Sequence, residues 1–221
     1  MMARKALEAV LELLFPKRAV CMGCGSASGC REDWICPKCR EALNLSWIGA
    51  DSPPETLDGA AFAYRYLNPA ASIVQKLKYS SIHRIAAFMA EDMVRAYRFI
   101  EPTGADCVAW VPMHPRRLRL RGYNHAELLA RDVARRLELE YVDAIACVRH
   151  TRQQAQLSGE ERRTNLNDSF SPIMDLTGRR VILVDDVCTT GSTARACAEA
   201  LKSGGAGQVD LLCYCLAGDR D

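Results

Sequence analysis

The stretch that most constrains this 221-residue chain is the run from Val181 to Thr193, VILVDDVCTTGST. Four apolar residues in a row demand burial on both sides, which a strand finds in a parallel sheet covered by helices. Two adjacent carboxylates, Asp185 and Asp186, come where that strand should emerge. The turn Thr189, Thr190, Gly191, Ser192, Thr193 then opens a helix over Ala194 to Lys202, closed by Gly204 and Gly205. Backbone N–H groups converge at a helix N-terminus and the dipole is positive there. The hydroxyls add donors, and Gly191 permits close approach and positive φ. This pattern predicts an anion site. Carboxylates directly beside a phosphate would repel it, so Asp185 and Asp186 are expected to take sugar hydroxyls or a bridging cation. Together the parts suit a sugar phosphate. An ordinary capped strand–turn–helix explains the hydroxyls but leaves two acids without a counterpart. Neither a G-x-x-x-x-G-K-[ST] loop nor a G-x-G-x-x-G fingerprint occurs, which argues against a nucleoside-triphosphate loop and a dinucleotide fold.

Other segments extend the same pattern. Gly59 to Leu67 is β-prone. Asp106 to Met113, Val142 to Val148 and Val209 to Leu216 are short apolar runs. Ala70 to Tyr79, Ile82 to Ile100 and residues 123–138 show helical periodicity. The alternation predicts an α/β fold with a mostly parallel central sheet flanked by helices, and ligands at the carboxyl ends of its strands. Apolar residues make up 49% and charged residues 25%, so a disordered chain is excluded. A net charge of +2 gives no bulk reason for nucleic-acid or membrane binding. No run of 18 apolar residues predicts a membrane-spanning helix. The start, MMARKALEAVLELLFPKR, is too charged for a signal peptide and reads as a helix stopped by Pro16, from which a cytoplasmic chain is expected.

Eleven cysteines divide the chain. Cys21-Met-Gly-Cys24 and Cys36-Pro-Lys-Cys39 are two C-x-x-C knuckles separated by a short polar loop, the spacing of a tetrahedral zinc site. Four thiolates would fill every position on the ion, so the expected role is structural. Reduced thiols or a redox pair are the competing reading. Cys30 is a spare. Cys107, Cys147, Cys188, Cys197, Cys213 and Cys215 sit in apolar runs and read as small buried hydrophobes. Residues 49–56, GADSPPET, read as a linker between an N-terminal helix-and-cysteine module (1–48) and the main domain (57–221).

Arg116, Arg117, Arg119 and Arg121 follow the run ending at Met113 and read as a flexible basic loop at a strand end. Arginine offers bidentate contacts to pyrophosphate, while a solvated basic loop is the simpler reading. Further on, Ser158 with Glu161 reads as a capping box for a short helix.

The run at 181–193 resembles the 5-phosphoribosyl-1-diphosphate (PRPP) motif of type I phosphoribosyltransferases. Cys21, Cys24, Cys36 and Cys39 occur together with Leu77-Lys78-Tyr79 and Arg121-Gly122-Tyr123-Asn124. Thr151, Gln154 and Leu157, Arg162 and Asn165, and Asp185 to Thr193 complete the set. On these the chain resembles the ComF/GntX family, associated with competence for DNA uptake. The resemblance implies a type I phosphoribosyltransferase fold behind a four-cysteine zinc finger. It implies that Asp185 and Asp186 hold the ribose hydroxyls with Mg²⁺ nearby. Thr189, Thr190, Gly191, Ser192 and Thr193 would take the 5′-phosphate, and Lys78 with Arg116, Arg117, Arg119 and Arg121 the pyrophosphate. Cys188 and His125 depart from the family's usual aromatic residue and glutamine. Thr189 stands where purine-salvage relatives carry an aspartate. His114 and His125 are acid–base candidates, although a lone histidine beside a loop is more often structural. The implied partners are PRPP, a base or amine acceptor that the sequence does not identify, and DNA or a DNA-uptake protein through the zinc module, without membrane insertion. An active transferase, a PRPP or nucleotide sensor, and a DNA-associated module remain as alternatives, and the oligomeric state stays open.

Overall fold

Val181 to Val184 lie fully buried in the interior of a six-stranded sheet. The computed structural model describes residues 20–27, 34–79, 83–100, 104–148 and 169–218. In chain order its elements are α1 (Pro37–Leu45), β1 (Trp47–Asp51), β2 (Gly59–Arg65), α2 (Ala70–Tyr79), α3 (His83–Tyr97), β3 (Cys107–Trp110), α4 (Pro115–Arg121), α5 (His125–Leu137), β4 (Glu140–Tyr141), β5 (Ile145–Cys147), β6 (Phe170–Pro172), β7 (Arg180–Cys188), α6 (Ser192–Ser203) and β8 (Gln208–Leu216). The expected N-terminal helix, Cys30, and the segment carrying Thr151, Gln154, Leu157, Ser158, Arg162 and Asn165 lie outside the described residues.

The sheet order is β1-β2-β8-β7-β3-β4. All neighbours are parallel except the edge pair β1–β2. Parallel strands need crossover helices, which cover both faces and explain why β2, β3, β7 and β8 are apolar on both sides. Helices α3 and α5 pack on each other and on the sheet, while α6 packs against β7, β8 and the β5–β6 pair. The buried side chains form one continuous core, and Cys21, Cys36, Cys39 and Leu43 of the cysteine segment belong to it.

Three local expectations change. The run Val142 to Val148 does not join the main sheet. Its residues Ile145–Cys147 pair antiparallel with Phe170–Pro172, and the main sheet instead takes Glu140–Tyr141. The arginine-rich segment is a helix, α4, rather than a flexible loop. Pro115 occupies its first turn, the His114 ring accepts the Arg116 N–H, and Gly122 ends it at φ 82°. Residues 49–51 of the expected linker belong to β1, and Pro54 packs on Gly191, where an added Cβ would lie 2.8 Å from its Cγ.

Leu183 is fully buried in β7 between Ala109 of β3 and Leu211 of β8. Leu183→Ala is expected to lower unfolding free energy by about 2–5 kcal/mol, read as a fall in the urea midpoint at unchanged slope.

Candidate functional site

Strand β7 does not release the chain at the acids. It runs to Cys188, with Asp185 opposite Cys213 and Cys188 opposite Leu216. Neighbouring strand residues face opposite sides of a sheet. Asp186 is buried, and its Oδ2 lies 2.7 Å from Lys78 Nζ and 3.4 Å from His125 Nε2. Lys78, on the last turn of α2, therefore neutralises an acid in this structure. Asp185 Oδ1 accepts the Asp186 N–H at 2.8 Å. Asp185 is half-buried by area, yet close packing desolvates its carboxyl. That burial, and then the charge of Asp186, push its pKa well above the usual carboxylate range. Ligand atoms of His125, Asp185 and Asp186 all lie within 4.8 Å of one another, so the cluster has the dimensions of a cation site.

His125 bridges two charges. Arg121 Nη1 lies 3.4 Å from its Nδ1, and a guanidinium can only donate. The hydrogen of the neutral ring is thereby assigned to Nε2, facing Asp186. Burial holds His125 below its ordinary pKa. Asp186 opposes that shift, while Lys78 and Arg121 reinforce it.

The turn after β7 is short. Thr189 and Thr190 lead to Gly191 at φ 77°, the N-cap of α6. Thr190 and Ser192 share a hydroxyl hydrogen bond of 2.9 Å. Among the described residues, no backbone carbonyl accepts from the Thr189, Thr190 or Gly191 N–H groups. The hydroxyls and amides of Thr189, Thr190, Gly191, Ser192 and Thr193 thus gather at one helix start, at the carboxyl end of β7.

Several positions in the segment after β3 have a structural duty. Asn124 caps α5 by accepting the Ala126 N–H at 3.0 Å and donates to Val111 O at 3.0 Å. The Tyr123 hydroxyl donates to Leu77 O at 2.6 Å, satisfying a carbonyl of the last turn of α2. Arg121 stands over the Tyr79 ring at 5.7 Å. Arg116, Arg117 and Arg119 are exposed. Of the basic candidates, Lys78 and Arg121 reach the acidic cluster and the other three stand on the solvent side of α4. His114 serves as a cap. The Tyr123–Leu77 contact joins remote segments and the Arg121–His125 contact spans four residues across the start of α5; sequence reasoning missed both.

The four cysteine sulfurs also converge. All lie within 4.8 Å of one another, and Cys24 Sγ to Cys36 Sγ is 3.8 Å. A tetrahedron with Zn–S of about 2.3 Å has edges of about 3.8 Å, so the donor set fits a zinc ion. Cys36 is the N-cap of α1, Pro37 follows it, and Cys39 lies one turn on. The Met22 N–H donates to Trp34 O at 2.8 Å, joining the knuckles. Burial pushes the Cys21 thiol up, but N–H groups of Cys36, Cys24 and Gly23 outweigh it and lower the pKa to about 6. Burial and the other three cysteines push Cys39 far up. Cys107, Cys188, Cys197, Cys213 and Cys215 are buried and Cys147 is half-buried.

Comparison with known proteins agrees with this arrangement. The family model "Phosphoribosyl transferase domain" matches residues 124–220. The DNA utilization protein YhgH of Escherichia coli K12 is 28% identical over 204 residues, 89% of each chain. That of Salmonella typhi is 33% identical over 155 residues, 68% of each. Competence protein F of Haemophilus influenzae is 31% identical over 157 residues, 66% of this chain and 67% of that one. The chain belongs to the ComF family. The ComF-family chain has the type I phosphoribosyltransferase fold, with a four-cysteine cluster ahead of it that can hold zinc. A solved adenine phosphoribosyltransferase from Thermoanaerobacter pseudethanolicus is 14% identical, with a TM-score of 0.40, over 80% of this chain and 99% of that one. No helix among the described residues of the ComF-family chain is long and apolar enough to cross a membrane.

A carboxyl whose folded-state pKa is raised loses stability as pH climbs through that pKa. Asp185→Asn should therefore raise Tm at pH 7, by about 2–4 °C for each kcal/mol of desolvation relieved. Below pH ~3.9 the two proteins should converge, as scanning calorimetry across pH would read. A Cβ on Gly23 would lie 2.6 Å from Pro69 Cβ and 2.9 Å from Cys39 Sγ. Gly23→Ala is expected to destabilise the protein by about 1–3 kcal/mol and to speed zinc loss to a chelator.

Proposed function

We propose that this chain binds PRPP with Mg²⁺ and transfers its phosphoribosyl group to a nitrogen of a base or amine. The carrying observation is Asp185 beside the Lys78-neutralised Asp186 near the end of β7, a few residues before a helix start whose Thr189, Thr190 and Gly191 N–H groups meet no backbone carbonyl among the described residues. Asp185 presents acceptor oxygens suited to a vicinal diol. Thr189, Thr190, Gly191, Ser192 and Thr193 supply donors for the 5′-phosphate. Lys78 meets Asp186 and Arg121 meets His125 beside it, and we read these two as the cations for pyrophosphate. In the reaction the ribose C1–oxygen bond breaks and pyrophosphate leaves with the electron pair. The acceptor nitrogen bonds to C1 and gives up its proton to the departing pyrophosphate or to solvent. Positioning and charge stabilisation carry such a displacement, and the protein supplies no nucleophile. Magnesium, when bound with PRPP, neutralises pyrophosphate charge, and the carboxylates of Asp185 and Asp186 would stand beside it. Zinc in the Cys21, Cys24, Cys36 and Cys39 set is read as structural. The names of the relatives support a role in DNA uptake or use, and we read the chain as acting in the cytoplasm.

A second reading has its own support. Arg116, Arg117 and Arg119 share α4 with exposed Leu118 and Leu120, and Tyr79 nearby is 81% exposed. Cations beside an exposed aromatic ring, here Arg121 over Tyr79, suit single-stranded DNA. If α4 meets DNA, affinity falls with salt by a slope of about −0.7 per phosphate neutralised.

Titration calorimetry with PRPP and Mg²⁺ tests the first reading. Saturable heat is expected, weakened at least about tenfold in Asp185→Asn, since a charged hydrogen-bonding partner is worth about 1.5–3 kcal/mol. No heat from the wild type overturns it. Pyrophosphate release across a panel of bases and amines then separates a transferase from a sensor.

A further inference from the structure

Helix α2 touches both candidate sites. A residue turns 100° around an α-helix, so Lys76 and Lys78 point to nearly opposite sides of it. Lys76 Nζ donates to Met22 O at 2.8 Å and to Cys21 O at 3.2 Å, both in the first cysteine knuckle. Lys78 Nζ meets Asp186 Oδ2 at 2.7 Å. Between them Leu77 is fully buried, and its carbonyl is fixed by Tyr123. The knuckle also meets the start of the helix, where Gly23 lies against Pro69 without room for a Cβ.

We propose that Lys76 is a positioning residue that makes the cysteine knuckle part of the acidic site. By tying the last turn of α2 to the Cys21–Met22 backbone, it sets where Lys78 meets Asp186. Helix ends fray, and a lysine on a frayed turn holds a partner poorly. Asp186 is 3% exposed, so its charge depends on that partner arriving in place. The carbonyls that seat Lys76 belong to the segment whose sulfurs converge for a metal, so the backbone that holds the metal also holds the lysine. Coupling of this kind is reciprocal: what loosens Asp186 from Lys78 loosens the knuckle, and the reverse. The proposal takes its functional meaning from the PRPP reading, but the coupling belongs to the ligand-free protein and is measured without PRPP.

The test is a double-variant cycle on the full zinc-loaded chain, read as the rate of zinc transfer to a chromophoric chelator. Lys76→Met and Asp186→Asn are each expected to speed zinc loss about fivefold or more. The double variant should lose zinc no faster than the faster single. Lys76→Arg, which keeps donors at that position, should restore most of the wild-type rate. Unchanged hydrogen exchange in β7 and β8 shows that the fold is intact. If Lys76→Met does not fold, the Lys76→Arg and Asp186→Asn rates still decide. An Asp186→Asn rate equal to wild type, or effects that simply multiply in the double variant, overturns the proposal. A wild type that shows no heat with PRPP while retaining the coupling sinks the PRPP reading alone.

Discussion

The ion pair between Lys78 and Asp186 is the constraint around which the rest is arranged. A carboxylate taken that far out of water needs a cation, and a lysine needs a fixed backbone to provide one. Three segments fix it. Helix α2 carries the lysine, β7 carries the acid, and the turn from Arg121 to His125 binds both: Tyr123 to the α2 carbonyl, His125 to the carboxylate. The parallel sheet makes this possible, because its crossover connections bring segments remote in sequence to one edge.

Neutralising Asp186 internally also separates the tasks of the two acids. Asp186 is engaged with Lys78 and His125, whereas Asp185 meets the Asp186 N–H and bears the cost of desolvation. A group held away from its ordinary ionisation is a common signature of a functional site, and this one precedes the turn proposed above to take a phosphate.

Much of the architecture is legible in the sequence because apolar runs of fixed length leave few alternatives. Helix α2 spans Ala70–Tyr79 as its periodicity indicates, and β7 and β8 extend the runs at 181 and 209 by a residue or two. The cysteine spacing is equally direct, since a knuckle is a local geometry. Helix α4 is legible too: Pro115 at its start and Gly122 at its end are the standard punctuation, masked by the arginines between them, which suggest a loop. The pairing of Ile145–Cys147 is not, because an apolar run does not name its partner. Nor is the destination of Lys78, which depends on a contact between segments far apart in sequence. Arg116, Arg117 and Arg119 face solvent for the same reason: composition shows that a segment is basic but not which way each side chain turns.

The continuation of β7 to Cys188 leaves only three residues before α6 begins at Ser192. A cradle that short is built from the last rung of a ladder and the first turn of a helix. It has no slack to wrap around an incoming group without breaking hydrogen bonds on one side or the other. If the turn takes a phosphate as proposed above, recognition would be by a preformed mould, the guest bringing its anion to the amides at a set height above the sheet. On that reading, the chain length between the anion and the rest of the guest would be the quantity by which ligands are sorted.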